Sequence, residues 1–301
     1  MNYETFKSTI LERMQQLLEP DTALRIQTIC KNNGRKLDGL VISTPDSNLS
    51  PTIFLNDYYE NPSVFPDFDA ICQDIRRTYE KNRSTEYIDA DFFTDYELIR
   101  RHIAYRMINY EKNKELLTTV PYIRYLDLAI VFYCLLHVTE TGHATILIHK
   151  NHLDLWHVTI SQLYEQACQT TPLLLPYDFR NMTAVLSGFS GDASASGQNL
   201  AAAAAFCPMY VLTNNQKLYG AGCMLYPGLL ESISEKLDHD LFLLPSSIHE
   251  MILLPAANRS YSKELADMVA QINRTELAAD EVLSDQVYYY SRADLALSIC
   301  S

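Results

Sequence analysis

Two hydroxyls, an imidazole and a carboxylate fall within five residues at Ser246, Ser247, His249 and Glu250. These groups are the nucleophile, the base and the orienting acid of nucleophilic catalysis, provided that the base reaches the hydroxyl and the acid reaches the base. They lie in LFLLPSSIHEMILLP, Leu241–Pro255, between the apolar runs Leu241–Leu244 and Met251–Leu254. If those runs pair as strands, PSSIHE is the connection between them, and serine after proline is ordinary turn chemistry. Pro245 also stands where a nucleophile elbow needs glycine. The four residues are candidates, and no catalytic residue is assigned.

Five histidines, His137, His143, His149, His152 and His157, lie within 21 residues. His149-x-x-His152, with Asp154 close by, is the pair best spaced to ligate a metal. HExxH is absent, however, and the flanking residues suit a strand-to-helix loop, so isolated hydrogen-bonded histidines are the expected outcome. The acids Asp89, Asp91, Asp95 and Glu97 lack the central glycine of a calcium loop and have Phe92 and Phe93 where ligands would be needed. Asp95 and Glu97 fit the start of a helix, where the dipole favours acids. Gly220-Ala221-Gly222 has Leu225 in place of a third glycine and is expected between strands, which excludes a dinucleotide fingerprint. Tyr58, Tyr59, Tyr288, Tyr289 and Tyr290 alternate faces on expected strands, so some should face outward and suit a protein contact.

The elements that must position these residues follow from periodicity. Tyr3, Phe6, Ile10, Met14 and Leu17 share one helical stripe, which Pro20 ends. Alternation on both sides of Asn32–Gly34 predicts a hairpin, and Pro51–Tyr59 a third strand. Phe68, Ile71, Cys72, Ile75 and Tyr79 mark a second helix. The capping box Thr94-x-x-Glu97 opens a third, with an apolar face through Ile103 and Met107. Residues 121–150 read as a long buried hairpin, and Thr159-x-x-Gln162 starts a helix that ends near Pro172. Residues 187–206, with three glycines and an alanine run, cannot build a core and are expected to be a linker. MYVLTN and GAGCMLYP should then form a hairpin, followed by a helix, the LFLLPSSIHEMILLP strand pair, a helix from Ser262 and a last strand at Gln286–Tyr290. NNGRKLDG and NNQKLYG echo each other, a likeness that good turn residues explain, with an internal duplication as the alternative.

The fold class expected is therefore α+β, with two α+β domains: residues 1–186, the linker 187–206, and residues 207–301 in ββαββαβ order. A net charge of −13 spread along the chain offers no electropositive surface, so nucleic acid is not an expected partner. Seven scattered cysteines without CxxC suit reduced thiols, the N-terminus is not a signal peptide, and no apolar run is long enough to span a bilayer. The protein is expected to be cytoplasmic, with no membrane partner.

LDGLVIS, SPTIFL, INYEKNKELL, YLDLAIVFY, ATILIHKNHLDLW, MYVLTN, GAGCMLYPG and LPSSIHEMILLPA together resemble a clostridial-type bacterial family, domain of unknown function 5688. The resemblance runs from about Tyr3 to Tyr290, and the Ala/Ser/Gly stretch departs from the more acidic segment expected of the family. More distantly, the C-terminal order resembles a YtpQ-like family. Both likenesses imply an architecture and no chemistry. The expected role is a binding or protein-interaction protein, with a protein partner or self-association, no catalytic activity and no cofactor. The alternative is a hydrolase using Ser246, Ser247, His249 and Glu250, or a metal held by His149 and His152.

Overall fold

The computed structural model describes residues 1–48, 50–61, 67–83, 90–139, 142–182, 208–256 and 261–300; the side chains of 90, 91, 137–139 and 142 are excepted. The class is α+β. The chain divides into one compact unit of Met1–Ile99 with Leu136–Ala144, and a second of Arg100–Leu135 with Thr145–Ser301. The expected linker at 187–206 lies outside the described residues. The strand before it, β8 (Tyr177–Asn181), pairs with the strand after it, β9 (Tyr210–Asn214), so one sheet draws on both sides of that stretch.

In the first unit the N-terminal stripe folds as α1 (Tyr3–Leu17), whose Asn2 cap accepts from the Thr5 amide. β1 (Ala23–Cys30) and β2 (Lys36–Ser43) form the expected hairpin, with Asn33 and Gly34 supplying the left-handed turn. β3 (Thr52–Phe54) completes the sheet and runs directly into α2 (Asn56–Glu60). α3 (Phe68–Asn82) lays Ile71, Cys72, Ile75 and Tyr79 against Phe6, Ile10 and Met14 of α1 and Leu40 and Ile42 of β2. Burying a side chain of the size of Ile10 or Ile75 stabilises such a core by about 2 kcal/mol. α4 (Ala90–Thr94) and α5 (Tyr96–Ile99) end this unit's first segment. At the start of α5 the Asp95 Oδ1 accepts from the Glu97 amide at 2.8 Å.

Residues 103–109 correct the expected helical face, because they form β4 (Ile103–Asn109). The reason is arithmetic. Ile103 and Met107 are four apart, which is one face of a helix and equally one face of a strand. Pairing along β6 (Leu128–Thr139) settles the ambiguity. β5 (Tyr122–Tyr125) pairs with the other side of β6, and β7 (Gly142–Leu147) also pairs with β6. α6 (Lys114–Leu117) packs Leu117 with Ile108, Ala129 and Val131 on one face of this sheet. The free edge of β4 is covered by α8 (Ile160–Leu174). Thr170 donates its hydroxyl to the Ile103 carbonyl, and the Tyr105 amide donates to Thr171 Oγ1 at 3.1 Å. α8 starts at the predicted capping box, Thr159 with Gln162, and runs on through Pro172 to Leu174.

The third sheet is six-stranded and antiparallel, in the order β13-β12-β10-β11-β9-β8. Its centre is the LFLLPSSIHEMILLP hairpin, β10 (Asp240–Ser247) with β11 (Glu250–Ala256), in the register Phe242↔Leu254 and Leu244↔Ile252. The expected ββαββαβ order needs two corrections. GAGCMLYP is not a strand: Gly220–Leu225 is a 3-10 turn leading into α9 (Leu229–Leu237). An additional strand, β13 (Ala296–Ile299), follows β12 (Tyr288–Ser291). α10 (Ser262–Thr275) buries Val269 with Phe242 and Leu254 of the hairpin.

Candidate functional site

The polar knot at the tip of the hairpin is a turn. Ser246 Oγ donates to Glu250 Oε1 at 3.1 Å across the strand ends, and Ser247 Oγ accepts from the His249 amide at 3.0 Å. The imidazole goes elsewhere: its Nδ1 lies 3.2 Å from the Tyr219 amide and 3.0 Å from the Lys217 carbonyl. No hydrogen bond among the described residues joins the imidazole to either serine hydroxyl. Nucleophile and base are adjacent in sequence and committed to different partners, so the turn does not bring them into a relay.

His149 and His152 are also committed locally. The His149 amide donates to His152 Nδ1 at 3.1 Å at the start of α7 (Lys150–Trp156), and the two rings meet edge-on at 5.8 Å. Burial, and then the neighbouring His149, lower the pKa of His152 and favour its neutral form. His157 adopts the left-handed conformation that ends the helix. Among the described residues no group of three or more His, Cys, Asp or Glu converges. Asp89 and the side chain of Asp91 lie outside the description.

What His249 does reach is more informative. Its ring stacks on Tyr219, with centroids 5.6 Å apart and planes 12° apart. Tyr219 belongs to a loop organised by Asn214, which is 1% exposed. Asn214 Oδ1 accepts from the Gln216 and Leu218 amides, and its Nδ2 donates to the Leu218 carbonyl at 2.7 Å. The NNQKLYG echo is thus a side-chain-stapled loop, unlike the hairpin turn at Asn32–Gly34. Lys217 and Tyr219 both take left-handed backbone angles, which cost non-glycine residues free energy and persist only where surroundings hold them. Gly220 is part of that hold. A Cβ there would collide with Thr213 Oγ1 and the His249 carbonyl and lie 2.9 Å from the Asn214 amide nitrogen. The glycine is needed for close approach of two backbones, not for a phosphate.

Tyr219 in turn meets two residues of the four-stranded sheet. The Arg106 guanidinium stands 4.5 Å from its ring centroid, and Tyr133 meets it edge-on at 5.3 Å. The register explains the convergence. Arg106 faces Val131 and Ala104 faces Tyr133, so Arg106 and Tyr133 are diagonal neighbours on one face of the β4–β6 ladder. Two of their polar atoms, Arg106 Nε and Tyr133 Oη, are buried without a hydrogen-bond partner among the described residues. Tyr133 is 1% exposed, and burial raises its pKa well above the ordinary tyrosine value, so the hydroxyl stays protonated at neutral pH. The guanidinium is always charged and has no carboxylate partner among the described residues, in a chain with 37 acidic side chains. Among the described residues, Arg106 Nε and Tyr133 Oη are thus two donors without an acceptor.

The tyrosine expectation changes as well. Tyr288, Tyr289 and Tyr290 are all buried. Tyr288 donates to Asp127 at 2.9 Å and Tyr289 to Asp240, so none of the three faces outward. Tyr58 is also buried, its hydroxyl donating to Asp74, and Tyr59 alone is exposed.

A model of a family of unknown function, DUF5688, matches residues 3–292. The chain belongs to that family. No curated protein and no solved structure matches it. The DUF5688 match spans Arg106, Tyr133, Tyr219 and His249 alike, so the cluster lies within the family's unit and not in an appendage. No helix among the described residues of this DUF5688 chain is long and apolar enough to cross a membrane. Sequence reasoning missed the cluster because its members come from four separate segments. One signal was available: Arg106 is the single charged residue in the strand IAYRMIN.

Proposed function

We propose that this protein is a cytoplasmic binding protein without catalytic activity, and that it recognises an oxyanion, a carboxylate or a phosphate, through Arg106 and Tyr133. The observation that carries this reading is the pair of buried polar atoms, Arg106 Nε and Tyr133 Oη, that have no partner among the described residues, beside the Tyr219–His249 stack. A buried donor left without an acceptor costs roughly 1–3 kcal/mol, and an anionic oxygen would remove that cost. The hydrolytic alternative has no comparable support, since the His249 imidazole is committed to the Lys217–Tyr219 backbone. The same oxyanion chemistry is carried by small molecules and by acidic side chains of a protein partner.

The test is calorimetric titration with phosphate, acetate, citrate and an Asp/Glu-rich peptide against the wild type, Arg106→Gln and Tyr133→Phe. Saturable binding that both variants lose is the expected result. A response to small anions but not to the peptide assigns a small-molecule ligand, and the converse assigns a protein partner. Phosphate and citrate also stabilise proteins by exclusion from the surface. A response of equal size in all three proteins therefore overturns the reading.

A further inference from the structure

The second unit also contains a cleft of about 280 Å³ whose walls include Tyr125, Tyr226, Glu231, Tyr290, Met224 and Leu295. It is separate in residues from the Arg106 cluster and opposite in chemistry. Three tyrosines contribute to it, Tyr226 and Tyr290 with only 6% and 5% of their surface exposed, and Glu231 is the one charged residue in its wall. Tyr226 has its hydroxyl committed, donating to the Leu175 carbonyl at 2.7 Å. The hydroxyls of Tyr125 and Tyr290 have no hydrogen-bond partner among the described residues. Glu231, with Glu235 one turn further along α9, lies close enough to raise the pKa of Tyr290, though burial is the larger cause. Leu295, 58% exposed and in a left-handed backbone conformation, adds an apolar wall.

From this geometry we infer that the cleft is a binding site for a small organic cation of the alkylammonium class. Aromatic faces attract a cation through their quadrupole, and a rim carboxylate supplies the counter-charge. An anion entering the cleft would meet Glu231 with no cation in the wall to offset it. The volume is just below the ~300 Å³ at which small-molecule sites begin, which restricts the ligand to a compact head group. Leu295 and Met224 suit the methyl or methylene groups that surround such a charge.

The experiment uses the full chain with choline and tetramethylammonium as probes, followed by calorimetry and by broadening of the probe's methyl proton resonance. The uncharged isostere of choline, 3,3-dimethyl-1-butanol, is run in parallel. Saturable binding of both cations is expected, with the neutral isostere at least ~10-fold weaker, as loss of cation–π attraction requires. Glu231 is exposed, so Glu231→Gln should fold normally and weaken binding by about threefold, while Glu231→Lys should abolish it. Equal affinity for the neutral isostere would show an apolar cleft and overturn the inference. Absence of saturable binding would overturn it as well, and so would binding that Glu231→Lys leaves unchanged. Failure at this cleft leaves the Arg106 reading untouched, because the two sites share no residue.

Discussion

Replacing Tyr133 by Phe deletes one oxygen from the interior of the four-stranded sheet and keeps the ring that meets Tyr219 at 5.3 Å. For a buried tyrosine whose hydroxyl is satisfied, that deletion strands a partner and costs roughly 1–3 kcal/mol. Here the hydroxyl has no partner among the described residues and the residue is 1% exposed, so the sign reverses. Removing an unsatisfied polar atom recovers part of its desolvation penalty, and about 1 kcal/mol of stabilisation is expected. Urea denaturation followed by far-UV circular dichroism reads this as a higher midpoint with unchanged slope, and in a unit of this size ~1 kcal/mol corresponds to about 2–4 °C in Tm. The same variant should lose its response to oxyanions. Stability gained and binding lost, from one atom, is the signature of a group held ready for a ligand. A Tyr133→Phe protein destabilised by about 1 kcal/mol or more would mean that the hydroxyl is satisfied in solution, and would refute the reasoning.

Other outcomes follow from the same geometry. Gly220→Ala drives a methyl into the His249 carbonyl and the Asn214 amide, neither of which is the end of a flexible side chain, and should cost about 2–3 kcal/mol by denaturant melt; a neutral result would mean that the loop is not held as described. In the first unit, Asp38 accepts from Lys7 Nζ at 2.7 Å and from the Thr28 hydroxyl, and these bonds, Lys7 first, lower its pKa. The stabilisation is therefore complete above the unfolded carboxylate value of about 3.9 and disappears as pH falls through the lower folded value. Asp38→Asn should cost about 2 kcal/mol at neutral pH and flatten that acid limb, and an unaltered limb would contradict the assignment. A fluorophosphonate probe should leave Ser246 and Ser247 unlabelled in folded protein, since the His249 ring is held by Lys217 and Tyr219; labelling abolished by His249→Ala would restore the hydrolase.

Local signals in the sequence were readable wherever one segment decides its own structure. The α1 stripe, the Asn33–Gly34 hairpin turn and the Thr159–Gln162 capping box all appear as expected, because each depends on contacts within a few residues. Ile103–Asn109 was misread because a spacing of four fits both periodicities, and only its partner β6 chooses between them. GAGCMLYP was misread because Gly220 and Gly222 serve close approach in a 3-10 turn, Gly220 to Thr213, Asn214 and His249 and Gly222 to the Tyr105 ring, and not a pleat. The candidate site was the least legible. His249 could be picked out by residue type, but its partner is Tyr219, thirty positions away, and Arg106 and Tyr133 meet only through a sheet register that no local pattern encodes.

The hydroxyls of Thr170 and Thr171 have a consequence beyond holding α8 in place. A sheet that ends on bare amides and carbonyls is a template for the next strand, whether from another molecule or from a misfolded copy. On β4 the template is filled by side-chain oxygens from a helix, which match the hydrogen-bonding pattern but cannot propagate it. The two threonines therefore act as a chain terminator for β-sheet growth. Replacing both with valine would leave α8 over the edge but strip the Ile103 carbonyl and the Tyr105 amide of these partners.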